Sequence, residues 1–360
     1  MKICHINLAK NYSGGERQTE LLIRELAGRG RSQRLIARKD SELVKFVGDV
    51  ERLEIFQTSN NFLAVGRATA GCSLTHAHEA RAAYGCLYGN WFNNIPSVIT
   101  RRVVRPQKKS WFRDRAYRSA GAVAAVSGAV ATHIRDTYPD IEPAVVADAT
   151  SDLVADASAK TALRDKYAGK VLIVHVGTYN DSHKGQLTII DAAKRAAVDE
   201  PTWQFLLLGE GRDRALFEQS IVDLKNIELT GFVDNVGDYL AAADVFVFPS
   251  RHEALGSSLL DAMQFGLPIV ATRVGGIPEF VEDGVNGTLI DPAAADQLFD
   301  GIAAYANKSP TVSAMHHANR NQADKYSASR MADSYEAIYE KVLNRQAALP
   351  QANLRRTPSP

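Results

Sequence analysis

Apolar, strand-like runs alternate with helix-period segments along the whole chain, and this alternation restricts the fold more than any other feature. Strands separated by helices are not joined by hairpins; they run parallel, and a parallel sheet needs helices over both faces. The runs fall at 2–8, 33–38, 72–77, 97–102 and 121–127 in the first half, and near 171–177, 203–209, 243–248 and 268–272 in the second. A chain of 360 residues exceeds what one core usually supports, so two such sheets and two domains are expected. Residues 148–162 are small and polar without a strong period, as a linker would be, and the boundary is placed near 160. The expected architecture is α/β, with doubly wound domains over 1–160 and 161–326. Tyr335, Ile338, Tyr339 and Val342 then fall at i, i+3, i+4 and i+7, the stripe of a helix over 327–346 that packs back on the domains. Residues 347–360 lack a stripe and read as a disordered tail.

Composition narrows the class. The formal net charge of +1 gives no global reason to expect nucleic acid. Cys4, Cys72 and Cys86 are too few and too scattered for a disulfide framework or a zinc site, which points to a reducing, cytoplasmic setting. The start Met1-Lys2-Ile3-Cys4-His5-Ile6 turns polar too soon for a signal peptide and reads as a first strand. No segment approaches the roughly 20 apolar residues that span a bilayer, so any membrane contact would be peripheral.

The most informative local stretch runs from Ala243 to Met263: an apolar strand, a loop and a helix start, with Glu253 and Asp261 eight positions apart. That spacing covers roughly 12 Å if helical, comparable with a diphosphate and its two flanking sugars. The N–H groups of Gly256, Ser257 and Ser258 lie between the two acids, and a helix start with unpaired N–H groups binds phosphate. The stretch reads as a nucleotide-sugar site. Gly14 and Gly15 sit at another strand-to-helix turn, where backbone can approach a ligand without a Cβ in the way. Lys184 follows a strand and a polar loop and could meet a phosphate as a point charge. Between 101 and 118, eight cations stand against Asp114 alone, interleaved with Trp111, Phe112 and Tyr117. Such a segment suits an anionic bilayer surface or a phosphorylated acceptor. His76, His78, Arg101 and Arg102 end two expected strands, whereas His5 and His175 lie inside strands and read as core.

In order, the chain carries Gly14-Gly15-Glu16, Val176-Gly177 with Lys184-Gly185, Leu208-Gly209-Glu210-Gly211, Gly231-Phe232-Val233-Asp234, Pro249-Ser250 with Glu253 to Asp261, and Gly275-Gly276-Ile277-Pro278-Glu279. In that order and spacing it resembles the GT-B glycosyltransferases of the retaining family 4 type, glycosyl transferases group 1, including those that build lipopolysaccharide core. The resemblance implies two Rossmann-like domains facing a central cleft, the first for a saccharide or glycolipid acceptor and the second for a nucleoside diphosphate sugar. It implies transfer of a hexose with retention. Glu253 would orient the hexose, Lys184 stabilise the leaving diphosphate, Leu255, Gly256 and Ser257 line its cradle, and Asp261 grip the ribose. Gly14, Gly15, Thr178 and Gly209 would line the donor site, with Phe232 and Val233 near the base. Three departures stand out. Family members often have arginine at Thr178, glutamate at Asp261 and histidine near Arg102, so His78 would fill part of that last role as a catalytic residue beside Arg102.

The sequence contains no Asp-x-Asp, the pair that holds a divalent metal in many glycosyl transfers. Lys184 and the helix dipole would then stabilise the developing charge, and neither metal nor cofactor is expected beyond the donor itself. Two other activities suit the same architecture: a nucleotide-sugar 2-epimerase, which needs no acceptor, and a non-catalytic nucleotide-sugar binding protein.

Overall fold

Two parallel sheets organise the chain, one in each of two units, as seen in a computed structural model that describes residues 1–59, 61–104, 110–306 and 310–348. The first unit comprises Met1–Ala149 and the segment from Ala328, and the second Thr150–Ser327. In the first, β1 (Lys2–Asn7), β2 (Ser32–Arg38), β3 (Leu53–Thr58), β4 (Leu74–Ala77), β5 (Ser97–Arg101), β6 (Ala122–Ala125) and β7 (Ala144–Val145) lie in the order β3-β2-β1-β4-β5-β6-β7. In the second, β8 (Val171–Val176), β9 (Trp203–Leu208), β10 (Ile227–Gly231), β11 (Val245–Phe248), β12 (Ile269–Thr272) and β13 (Gly287–Ile290) lie in the order β10-β9-β8-β11-β12-β13. All pairings between these strands are parallel. Each sheet reverses its winding once, between β1 and β4 and between β8 and β11. The carboxyl ends at such a reversal form the crevice where open α/β sheets bind ligands.

Central strands form where the sequence is continuously apolar, because helices cover both of their faces. Trp203, Phe205 and Leu207 of β9 are buried with Ile173, Val245 and Val247, and helix Gln186–Asp199 adds Ile189, Ile190 and Ala193. The expected boundary near 160 moves to 149/150. The stretch after Thr150 is bound to the second unit through side chains, and the expected linker 148–162 runs at its end into the helix Ala157–Lys166, capped by Asp156. The expected terminal helix exists as Ala328–Ala347 and joins the first unit. Its Tyr335, Tyr339 and Val342 are buried against Ile3, Leu74 and Val98, each burial being worth about 1.5–3 kcal/mol. Arg29 ties the same helix to the first by ion pairs to Asp333 at 2.6 Å and Glu336 at 2.7 Å. Of the expected disordered tail 347–360, Ala347 still belongs to the helix Ala328–Ala347, and 349–360 lie outside the described residues. No helix among the described residues is long and apolar enough to cross a membrane.

Candidate active site

At the reversal of the second sheet, two loops are pinned together. After β8 the chain forms one helical turn, Asp181–Lys184, and after β11 it runs through Pro249 to Gly256. The N–H of Arg251 donates to the His183 carbonyl at 2.7 Å, and the Arg251 guanidinium pairs with Asp181 at 3.1 Å. Gly185 is left-handed at φ 66° and packs so closely that a Cβ there would stand 2.1 Å from the Pro249 carbonyl oxygen. This pinning brings Lys184 Nζ to 2.6 Å from Glu253 Oε2, with the ammonium 5.0 Å from the centre of the Phe248 ring. Gly275, at φ 55°, fixes Glu253 from the other side, since a Cβ on it would lie 1.6 Å from the Glu253 carbonyl oxygen. No other residue fits that approach.

Just beyond the pair the helix Ser257–Gln264 begins, capped by left-handed Gly256. Its first N–H groups carry the positive end of the dipole. A cation, a carboxylate and a helix start therefore share one end of the second sheet. Leu255 and Gly256 are buried, Ser257 is half-buried, Thr178 is exposed, and Phe232 is 77% exposed with Val233 half-buried beside it. Gly209 donates its N–H to the Gly231 carbonyl at 2.9 Å, joining the two glycine turns. Asp261 is placed differently from a bare ribose ligand. Ser151 donates its N–H to Asp261 Oδ1 at 2.7 Å and its hydroxyl to Oδ2 at 3.2 Å.

In the first unit, Gly14 opens the helix Gly14–Gly28, and the N-cap Ser13 donates its N–H and hydroxyl to the Glu16 carboxylate at 3.2 and 2.6 Å. A Cβ on Gly15 would lie 3.8 Å from Cδ of Arg102. The Arg102 guanidinium pairs with Asp148 at 3.0 Å and donates to the His78 carbonyl at 3.1 Å. Burial works against its charge, but Asp148, Tyr335 and Glu16 together outweigh this and raise its pKa.

His78 is buried, at 2% exposure. Gln33 donates its amide N–H to the Ile23 carbonyl at 2.9 Å, so its Oε1 accepts from His5 Nε2 at 2.9 Å. His5 Nδ1 must then accept from His78 Nε2, also at 2.9 Å. That chain assigns the His78 proton to Nε2. Burial, then His76, His5 and Arg102, pushes the His78 pKa well below the usual histidine value. His76 bonds Tyr339 and Thr100 at 2.7 Å each. Ligand atoms of His5, His76 and His78 all lie within 4.8 Å of one another, a spacing that a metal could use. Here His78 and His5 form a hydrogen-bonded chain that ends at Gln33, while His76, its ring centroid 4.0 Å from that of His78, bonds Thr100 and Tyr339 of the C-terminal helix.

Of the residues read from the sequence, Lys184, Glu253, Gly256 and Ser257 come together at one sheet end, and Arg102, His78 and Gly15 at another. Asp181, Asp148 and Ser151, which hold these groups in place, escaped notice. No spacing in the sequence marks them, since each acts on a residue from a distant segment.

Residues 170–308 match the family Glycosyl transferases group 1. The lipopolysaccharide core biosynthesis glycosyltransferase LpsE of Rhizobium meliloti is 27% identical over 310 residues, covering 82% of this chain and 86% of LpsE. Alpha-maltose-1-phosphate synthase of Mycobacterium tuberculosis is 24% identical over 328 residues, covering 78% and 82% respectively. Among solved structures, Anabaena Alr3699/HepE in complex with UDP-glucose aligns with a TM-score of 0.81 at 18% identity, over 97% of this chain and all of that one. The fold is GT-B.

Proposed function

We propose that the chain, a glycosyltransferase whose residues 170–308 match the glycosyl transferases group 1, moves a hexose from a nucleoside diphosphate sugar, a UDP-sugar by preference, to a hydroxyl of a saccharide or glycolipid acceptor with retained anomeric configuration. Lipopolysaccharide core or another cell-surface glycan is the intended product, made on the cytoplasmic side. Likeness to LpsE and to a protein solved with UDP-glucose supports the donor and the pathway class.

The observation that carries the reading is the 2.6 Å pair of Lys184 and Glu253 beside the start of helix Ser257–Gln264. A donor diphosphate would replace Glu253 as the counter-ion of Lys184 and take the N–H groups of Ser257 and Ser258. Glu253, released, would accept hydrogen bonds from the hexose hydroxyls. As the bond from C1 to the diphosphate oxygen breaks, charge gathers on that oxygen, where the ammonium and helix start already point. The acceptor oxygen bonds to C1 and its proton passes to the departing phosphate, so no separate base is needed. Arg102, with His78 beneath it, is assigned to the acceptor. This scheme asks for no divalent metal, and turnover is expected to persist in EDTA.

Thermal stabilisation by UDP, GDP, ADP and their sugars identifies the donor, because a ligand that binds only the folded chain raises its stability. Product analysis with and without acceptor then decides the reaction. A changed nucleotide sugar formed without acceptor would mean epimerisation, and binding without turnover would mean a non-catalytic protein.

A further inference from the structure

Two helices of the first unit turn aromatic rings outward. In Ala82–Asn93, Ala82, Ala83, Cys86 and Leu87 are buried, so Tyr88, Trp91 and Phe92, at i, i+3 and i+4, share the opposite face. In Trp111–Ser119, Arg113, Ala116 and Tyr117 are buried, leaving Trp111, Phe112, Arg115 and Arg118 outside. The outward rings form one continuous chain. Tyr88 meets Trp91 at 5.2 Å and Phe92 at 5.9 Å, Trp91 meets Trp111 at 6.5 Å, and Trp111 meets Phe112 at 5.0 Å between centroids. Exposure is 65% for Trp111, 46% for Phe92 and Phe112, and 44% for Trp91. Large rings left this open, side by side, mark a contact surface rather than ordinary solvent-facing polarity.

The charge around the rings selects the partner. Arg67, from the helix Phe62–Ala68, lies over Phe92 at 5.8 Å, and Arg115 is exposed at i+3 from Phe112 on the same helix. Arg105, Lys108 and Lys109 precede Trp111 in sequence, and Asp114, the one acid of 101–118, is occupied by the Tyr138 hydroxyl at 2.8 Å. A second copy of the chain on this face would set arginine against arginine, because a two-fold contact pairs a patch with itself. An anionic bilayer suits both features: rings settle at headgroup depth and arginines meet lipid phosphates.

We propose that the face made by Trp91, Phe92, Trp111 and Phe112, rimmed by Arg67 and Arg115, seats the protein on an anionic lipid bilayer. This deepens the glycolipid-acceptor reading and rests on it for its purpose, since such an acceptor is held in the same bilayer.

The test uses the full chain with vesicles of phosphatidylcholine alone or mixed with phosphatidylglycerol, read by co-sedimentation and by tryptophan emission. The chain has three tryptophans and Trp203 is buried, so a blue shift on binding reports Trp91 and Trp111. Wild type is expected to sediment with the mixed vesicles, with a blue shift, and not with the neutral ones. W111S/F112S should lose both signals, and R67E/R115E should lose sedimentation, while each keeps its unfolding temperature and its stabilisation by UDP. No binding of wild type to the mixed vesicles overturns the proposal, as does undiminished binding by W111S/F112S, or a lipid-free dimer that W111S/F112S dissolves. Stabilisation by UDP is read separately, so the donor-site reading stands or falls on its own.

Discussion

Ser151 gives both its backbone N–H and its hydroxyl to the two oxygens of Asp261, at 2.7 and 3.2 Å. The contact is part of a side-chain grip on the linker. Gln264, one turn along the same helix, donates to the Leu153 carbonyl at 3.0 Å and accepts its N–H at 3.2 Å. In the first unit, Gln18 holds Ala149 in the same two-point way, at 2.8 and 2.7 Å. The helix proposed to bind the donor thus also holds the start of its own unit. Asp261→Ala leaves the buried Ser151 N–H without its acceptor, at a cost of about 1–3 kcal/mol. At about 2–4 °C per kcal/mol for a unit of this size, the unfolding temperature should drop by several degrees with no ligand present. Asp261→Asn keeps one acceptor oxygen and should fall less. Thermal unfolding of the three proteins without nucleotide decides it, and an Asp261→Ala protein as stable as wild type would show that the grip carries no energy.

Lys184 and Glu253 stand 69 positions apart in sequence and 2.6 Å apart in space. The ammonium would pair with the donor diphosphate on binding and with the further charge that develops as the glycosidic bond to phosphate breaks, so its removal should raise donor KM and also lower kcat. Lys184→Met is expected to lower kcat by about 10²–10³, the usual effect of deleting one preorganised donor. Lys184→Arg should recover part of it. Steady-state kinetics with the matching nucleotide sugar measure both, and an unchanged kcat in Lys184→Met would remove this residue from the mechanism.

The strands that the apolar pattern located are the interior ones, and those it missed are the four edges: β3, β7, β10 and β13. The reason is physical. An edge strand is covered less completely, so Leu53–Thr58 keeps Glu54, Phe56 and Gln57 exposed, and Ala144–Val145 is only two residues long. Neither makes the continuous apolar run that a covered strand requires. Glycines at loop positions were legible because Gly185 and Gly275 have steric work that no other residue can do. The partner of Asp261 was not, because Ser151 lies 110 residues away in a stretch that looks like ordinary linker. Likewise the aromatic face needed the fold: Trp91 and Trp111 belong to separate segments and meet only after the two helices pack.

Arg102 and Asp148 form a pair with side-chain exposures of 11% and 9%. Removing one member of a buried pair strands the other, a loss of about 3–5 kcal/mol. Asp148→Ala should therefore destabilise the first unit strongly, visible as a lower denaturant midpoint. Replacing both, in R102M/D148L, removes the stranded charge and should regain most of the loss. A double variant no more stable than Asp148→Ala would mean that Asp148 acts through something other than its charge partner.

Four histidines are buried in the folded chain: His5, His76, His78 and His175. Burial pushes His5 and His175 from 6.5 down to about 4, and moves His76 and His78 well below their usual value. Below pH 6.5 the unfolded chain takes up protons at these positions while the folded chain does not. Stability from this source is therefore complete above that pH and drains away as the solution is acidified toward pH 4. Each histidine contributes about 1.4 kcal/mol per pH unit once its unfolded form is protonated. Between about pH 6 and 5, above the range where most carboxylates titrate, this should be the dominant slope. Urea midpoints across that window test it. His175→Gln, which cannot take up the proton, should flatten the slope by one histidine's share, whereas a flat profile in the wild type would mean that these rings are already protonated in the folded state.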